Sequence, residues 1–138
     1  MSYPQRILVT GATGFIGSAI VMRLEEVGYQ VTRTTRKQIE KDDASKLYLD
    51  LSIPETIYML AGHHHFDAIV HFGAHVGWSG ETEEELFSTN VIASGLLAKL
   101  ARNTNSQFIF ASAAMVCGVK AEKITLDYPV NPDTPYGK

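Results

Sequence analysis

Val9-Thr10-Gly11-Ala12-Thr13-Gly14-Phe15-Ile16-Gly17 is the stretch that decides the fold. It follows a short β-branched run, Arg6-Ile7-Leu8-Val9-Thr10, and opens a segment in which Ile16, Ala19, Ile20, Leu24 and Val27 recur at mostly helical spacing. The run reads as a buried parallel strand, and Phe15 to Val27 as a helix stopped by Gly28 in the manner of a C-cap. Between them Gly11 lets the chain turn sharply off the strand. Gly14 leaves no side chain between a pyrophosphate and the helix N-terminus, where free N–H groups and the macrodipole favour anions. Gly17 lets the helix lie close on the sheet. A glycine triplet set between a strand and a helix is the arrangement expected to bind a nucleotide.

Strands and helices alternate through the rest of the chain. Gln30 to Thr35 and Lys46 to Asp50 read as second and third strands, and Ser52 as the cap of a helix entered through Ile53-Pro54. Phe66 to Phe72 is a fourth strand. Glu81 to Arg102 reads as one long helix, acidic at its start and basic at its end, and Gln107 to Ala111 as a buried, apolar fifth strand. After Gly118 the prolines at 129, 132 and 135 predict an irregular tail. Each parallel return needs a crossover, so the alternation predicts an α/β fold with a doubly wound, Rossmann-type parallel sheet, strand order 3-2-1-4-5.

The 138 residues carry 12 Lys and Arg against 15 Asp and Glu, a formal charge of −3, so there is no basic footprint for nucleic acid. No stretch is apolar for long enough to cross a bilayer, which argues against a membrane partner. The first residues run straight into a strand, leaving no room for a signal peptide, and the one cysteine, Cys117, fits a reducing compartment. A cytoplasmic location is the expectation.

The string Thr10-Gly11-Ala12-Thr13-Gly14-Phe15-Ile16-Gly17 resembles the extended branch of the short-chain dehydrogenase/reductase superfamily, which contains NAD-dependent epimerases, dehydratases and 4-keto-sugar reductases. Phe15 to Arg36 is also similar to the dihydroflavonol reductase group within that branch. The resemblance implies cofactor contacts from Gly11, Thr13, Gly14, Phe15, Ile16 and Gly17. It implies that Asp50 and Leu51 meet the adenine, and that Phe72, Gly73 and Ala74 lie beside the diphosphate and ribose. Asn90, in Thr89-Asn90-Val91-Ile92-Ala93-Ser94-Gly95, matches the family asparagine that orders the chain near the active site. Read alone, Asp50 is equally a cap for the next segment and Asn90 a helix-surface residue; their joint order along the chain raises them.

An NAD site usually carries an Asp or Glu at the end of the second strand, and the corresponding position here is the uncharged Thr35. Arg33, Arg36 and Lys37 flank it, and a 2′-phosphate needs such positive, fork-like donors. NADP is therefore expected in preference to NAD, with Arg36 as the phosphate ligand.

The family's chemistry uses a tyrosine that moves a proton while nicotinamide exchanges hydride, a lysine four residues later, and a Ser or Thr hydroxyl that orients the carbonyl. Pro132-Asp133-Thr134-Pro135-Tyr136-Gly137-Lys138 resembles the start of that Tyr-x-x-x-Lys helix, which makes Tyr136 the expected acid/base. The lysine position would be 140, and Lys138 sits only two residues on. Aligned without gaps, Ala113 stands at the hydroxyl position, Ser112 beside it, and Cys117 where the family has a further tyrosine. Ser112 serves only if the strand end shifts by a residue.

His63-His64-His65 invites a metal reading, but consecutive residues on a regular element cannot all face one ion, so a polar loop is expected and no metal site. His75, Trp78 and Ser79 follow the fourth strand and are candidates for the substrate side. The whole is expected to be a dinucleotide-binding domain over residues 1–138, the truncated N-terminal part of a longer epimerase, dehydratase or reductase whose substrate domain is absent. The implied substrate is a nucleotide sugar or related carbonyl compound. This chain alone is expected to bind its cofactor weakly without turnover and to self-associate through apolar surface on the fifth strand and the long helix. The alternative is a non-catalytic NAD(P)-binding sensor, favoured by Ala113 and Cys117.

Overall fold

The computed structural model describes residues 5–37, 39, 43–63, 65–118 and 123–138. Five parallel strands form one sheet: β1 (Arg6–Thr10), β2 (Gln30–Thr35), β3 (Lys46–Tyr48), β4 (Ala68–His71) and β5 (Gln107–Phe110). Their order is β3-β2-β1-β4-β5, the doubly wound order expected from the alternation. In register, Leu8 of β1 faces Thr32 on one side and Ile69 on the other.

The central strands bury both faces, so their apolar residues run nearly unbroken. Leu8 and Ile69 point into a core shared with α2 (Pro54–His63) and α4 (Ala93–Asn103), through Ile57, Leu60, Leu97 and Leu100. Ile7, Val9, Ala68 and Val70 point the other way, towards Val21 of α1 (Phe15–Glu26). Gly28, at φ +93°, ends α1 as expected: its N–H donates to the Glu25 carbonyl and that of Tyr29 to Leu24, the paired bonds of a Schellman cap.

Three expectations change. The helix read over Glu81 to Arg102 is an α-turn, α3 (Glu83–Leu86), then a π-helical turn over Phe87–Ile92, then α4. Thr82 caps its start reciprocally with Glu85. Ser52 does not cap α2; its hydroxyl and N–H both donate to Asp50, while the Thr56 hydroxyl donates back to the Asp50 and Ile53 carbonyls. β5 is not buried: it is an edge strand with Ile109 49% and Phe110 57% exposed, because no described element covers its far side. Among the described residues, no helix is long and apolar enough to cross a membrane.

Candidate functional site

The glycine turn is built by steric necessity. Gly11 has φ +67°, and a Cβ there would lie 2.7 Å from the Gly73 nitrogen. A Cβ on Gly17 would lie 2.1 Å from the Gly11 carbonyl oxygen, so the first turn of α1 seats directly on the loop that precedes it. Gly14 meets only that same oxygen, at 3.2 Å, and leaves its other side open. No side chain caps α1, so its first N–H groups remain free to face an anion.

A cleft of about 290 Å³ opens at the carboxyl ends of the strands, against the turn. It sits where the strand order reverses between β1 and β4, the usual ligand position in such sheets. Of the residues singled out by sequence, Gly11, Thr13, Gly14, Arg36, Asp50, Leu51, Phe72, Gly73 and Ala74 line it together. Thr10, Thr34, Thr35, Leu49, His75 and Thr89 complete the wall.

Phe15, Ile16, Gly17, Asn90, Ser112 and Tyr136 are not among the lining residues. The Phe15 and Ile16 side chains are 96% and 57% exposed, since they sit on the outer face of the first helical turn; what they can offer an anion is backbone N–H. Gly17 acts through packing. Ser112 is exposed and Tyr136 half-buried. The tail that carries Tyr136 is tied to the 3₁₀ turn Ala114–Cys117: the Asn131 N–H donates to the Val116 carbonyl, and a Cβ on Gly137 would lie 2.5 Å from the Met115 oxygen.

Asp50 holds the Ser52 hydroxyl and N–H at 2.6 and 2.9 Å. Burial works to raise its carboxyl, but these two donors, with Arg36 and His75 nearby, leave it below the ordinary carboxylate range. An ionised acceptor is thereby held in the cleft wall. The three basic residues of the expected phosphate cluster divide. Arg33 is engaged by Glu25, with Nη2 at 2.6 and 2.7 Å from the two carboxylate oxygens, so part of its charge is already paired. Arg36 and Lys37 are exposed and line a larger groove that adjoins the cleft past the end of β2.

Asn90 is fixed by the wide π-turn. Its Nδ2 donates to the His75 carbonyl at 2.7 Å and its Oδ1 accepts the His75 N–H at 2.8 Å, which clamps the segment that follows β4. Beside it the Thr89 hydroxyl, 1% exposed, and the His75 Nδ1 are buried with no hydrogen-bond partner. Trp78, by contrast, is 90% exposed.

His71, at the end of β4, is 1% exposed. Its Nδ1 lies 2.5 Å from the Thr10 hydroxyl and its Nε2 2.8 Å from that of Ser94. Burial pushes its pKa down to about 4. Sequence reasoning passed over it, although a polar residue inside the run Ala68-Ile69-Val70-His71-Phe72 has to be paired if buried.

Among the described residues no group of three or more His, Cys, Asp or Glu is placed to hold a metal. His64 of the histidine run lies outside the described residues, and His65 faces Asp67 at 3.7 Å. Cys117 is a free, half-buried thiol.

Comparison with known proteins adds three kinds of finding. ADP-L-glycero-D-manno-heptose-6-epimerase of Nitratidesulfovibrio vulgaris is 31% identical over 119 residues, covering 80% of this chain and 37% of that protein. UDP-glucose 4-epimerase of Halalkalibacterium halodurans is 31% identical over 142 residues, covering 96% of this chain and 42% of that protein. The chain thus spans less than half the length of these curated relatives. Among solved structures, the Helicobacter pylori ADP-L-glycero-D-manno-heptose-6-epimerase superposes with a TM-score of 0.83 at 24% identity, over 96% of this chain and 47% of that one. A short-chain dehydrogenase/reductase superfamily protein from Agrobacterium tumefaciens, solved with bound NAD, gives 0.78 at 26% identity, over 96% and 40%. A family profile matches residues 7–138, a span that runs through every element of the cleft, and the protein belongs to the NAD dependent epimerase/dehydratase family.

Proposed function

We propose that this chain holds the nicotinamide dinucleotide of an enzyme that epimerises, dehydrates or reduces a nucleotide sugar or related carbonyl compound. The observation that carries the reading is the cleft itself, at the β1/β4 switch point and floored by a turn in which no Cβ fits at Gly11 or Gly17. The residues present suit such a cofactor. The pyrophosphate lies against Gly11, Thr13 and Gly14 and the free N–H groups of α1, Asp50 accepts from the adenine amine, and Gly73 and Ala74 leave room for the ribose. Thr89 and His75 offer unpaired buried polar atoms to the far part of the ligand. The dinucleotide, once bound, supplies hydride acceptance and return at its nicotinamide.

To Tyr136 the proposal assigns proton transfer and to Ser112 carbonyl orientation. Turnover by these 138 residues is not expected, since Ala113 stands at the hydroxyl position and Lys138 is two residues from Tyr136 rather than four. Titrating the purified chain with NADH and NADPH by nicotinamide fluorescence tests the binding; a flat titration with both sinks it. Hydride transfer above background, assayed with UDP- and ADP-linked sugars, would overturn the second part. The non-catalytic sensor is the second reading, favoured by the same Ala113.

Of the two cofactors the reading prefers NADP. Thr35 presents a neutral hydroxyl where a carboxylate would repel a 2′-phosphate, and Arg36 and Lys37 stand exposed beside it. Arg33 lines the same groove with its Nη2 held by Glu25. Arg36→Ala is expected to weaken NADPH about tenfold, the worth of a charge-assisted phosphate contact, and to leave NADH unchanged. Equal wild-type affinities for the two cofactors would remove the preference.

The reading also includes self-association. Phe87 and Phe110 are each 57% exposed, with Val91, Ile92 and Ile109 exposed nearby in sequence. Sedimentation at micromolar concentration is expected to show dimers or larger species; a single monomer boundary contradicts it.

A further inference from the structure

The segment that follows β4 is held at two points by one closed run of hydrogen bonds. It leaves from the Gly73 N–H, which donates to Thr10 Oγ1 at 3.0 Å. Thr10 and His71 are paired neighbours on β1 and β4, and the hydroxyl meets His71 Nδ1 at 2.5 Å. His71 Nε2 meets Ser94 Oγ at 2.8 Å, and Ser94 Oγ in turn bonds the Asn90 carbonyl. Asn90 then returns to the same segment through its two bonds to the His75 backbone.

The fixed acceptor at the Asn90 end sets the direction of the protons along the run. The Gly73 N–H can only donate, so Thr10 accepts there with one lone pair, which leaves its O–H available to Nδ1. The Asn90 carbonyl can only accept, so Ser94 donates to it and accepts from His71 Nε2–H. The Ser94 end therefore demands the neutral tautomer with the proton on Nε2, and Nδ1, left as an acceptor, takes the Thr10 O–H. Phe108 and Phe110 of β5 lie close to the ring, with centroids 6.1 and 5.8 Å away, and β1 and α4 supply its two hydroxyl partners.

We infer that His71 is a positioning residue for the cleft: through Thr10 and Ser94 it fixes Gly73 and His75 together, and so shapes the wall that the dinucleotide meets. A merely space-filling histidine needs neither both hydroxyls nor one tautomer. The inference rests on the dinucleotide reading for its functional consequence, though not for its geometry.

Ser94→Ala is the cleaner cut, because Ser94 does not line the cleft, and Thr10→Val breaks the run on the other edge of the ring. In the 138-residue chain, each single change is expected to speed amide exchange at His75 or Gly73 and to raise the NADH Kd about five- to tenfold. The double variant is expected to lose no more than the worse single, since either change opens the same closed run. Additive losses in the double overturn the inference. So does a Ser94→Ala chain that melts earlier with NADH affinity and His75 exchange both unchanged. Nitrogen-15 spectra of the wild type add a readout that needs no variant to fold: the Nε2–H form of His71 is expected near neutral pH, and an Nδ1–H form refutes the assignment. If the wild type binds neither NADH nor NADPH, the dinucleotide reading fails, and the exchange and tautomer measurements still decide the role of His71.

Discussion

Gly17→Ala is expected to destabilise the protein by about 3 kcal/mol and to reduce dinucleotide affinity about a hundredfold. Helix propensity alone predicts the opposite, because Ala is favoured over Gly inside a helix by about 1 kcal/mol. The deciding quantity is the 2.1 Å between an added Cβ and the Gly11 carbonyl oxygen, with the Gly11 carbonyl carbon at 2.8 Å and Ala12 Cα at 3.1 Å. All three are backbone atoms, so no side chain can swing aside. The helix has to lift off the turn by roughly an ångström, and a misplacement of that size is enough to spoil a preorganised site. Gly95→Ala is the control. It makes the same change inside α4 with nothing within 4 Å of the new Cβ, and is expected to raise stability by up to about 1 kcal/mol. Urea unfolding of both variants, with NADH titration, checks the pair. Two variants of equal stability would show that α1 does not sit on its turn as described.

The sheet order was legible because β1, β4 and β5 are short apolar or β-branched runs set apart by helical patterns, and parallel returns admit few topologies. The turn was legible for a similar reason: glycine spacing reports backbone sterics directly. What escaped was set by contacts between distant segments. Glu25 lies on α1 and captures Arg33 from β2, so a residue that looked like part of a phosphate cluster is already engaged. Nothing in Phe87-Ser88-Thr89-Asn90-Val91-Ile92 interrupts a helical pattern, yet the chain widens there into a π-turn, as helices often do near functional sites. That widening accompanies the Asn90 amide's two bonds to the His75 backbone, a partner fifteen residues away. Exposure of β5 likewise depends on what packs against it, which an apolar run does not report. The cleft threonines at 10, 34 and 89 were hidden for a simpler reason. Each lies within a strand or helix pattern in which a β-branched residue draws no notice.

His71 carries the second large expected effect, a loss of stability in mild acid. Its ring remains neutral in the folded protein down to about 4, whereas in the unfolded chain it takes up a proton at the ordinary value of 6.5. Between those values the unfolded state binds more protons, so stability rises with pH and is lost as pH falls from 6.5 towards 4. The full loss amounts to about 3 kcal/mol, a large fraction of what holds a domain of this size together. Desolvation is the cause, since the groups that meet the ring are the Thr10 and Ser94 hydroxyls and the Phe108 and Phe110 rings, none of them a carboxylate. The carboxyls held low by hydrogen bonding, Asp43, Asp50, Asp67 and Glu85, act in a different window: their stabilisation is lost only as pH falls below the ordinary range of 3.8 to 4.5. Urea midpoints measured from pH 7 down to about pH 5 therefore leave these carboxylates out of the comparison. His71→Phe, which keeps a ring in the same space, is expected to flatten the profile over that interval whatever it does to stability at neutral pH. A variant that loses stability with the same slope as the wild type would place the titrating group elsewhere. It would also sever acid sensitivity from the hydrogen-bonded run that joins Gly73 to His75.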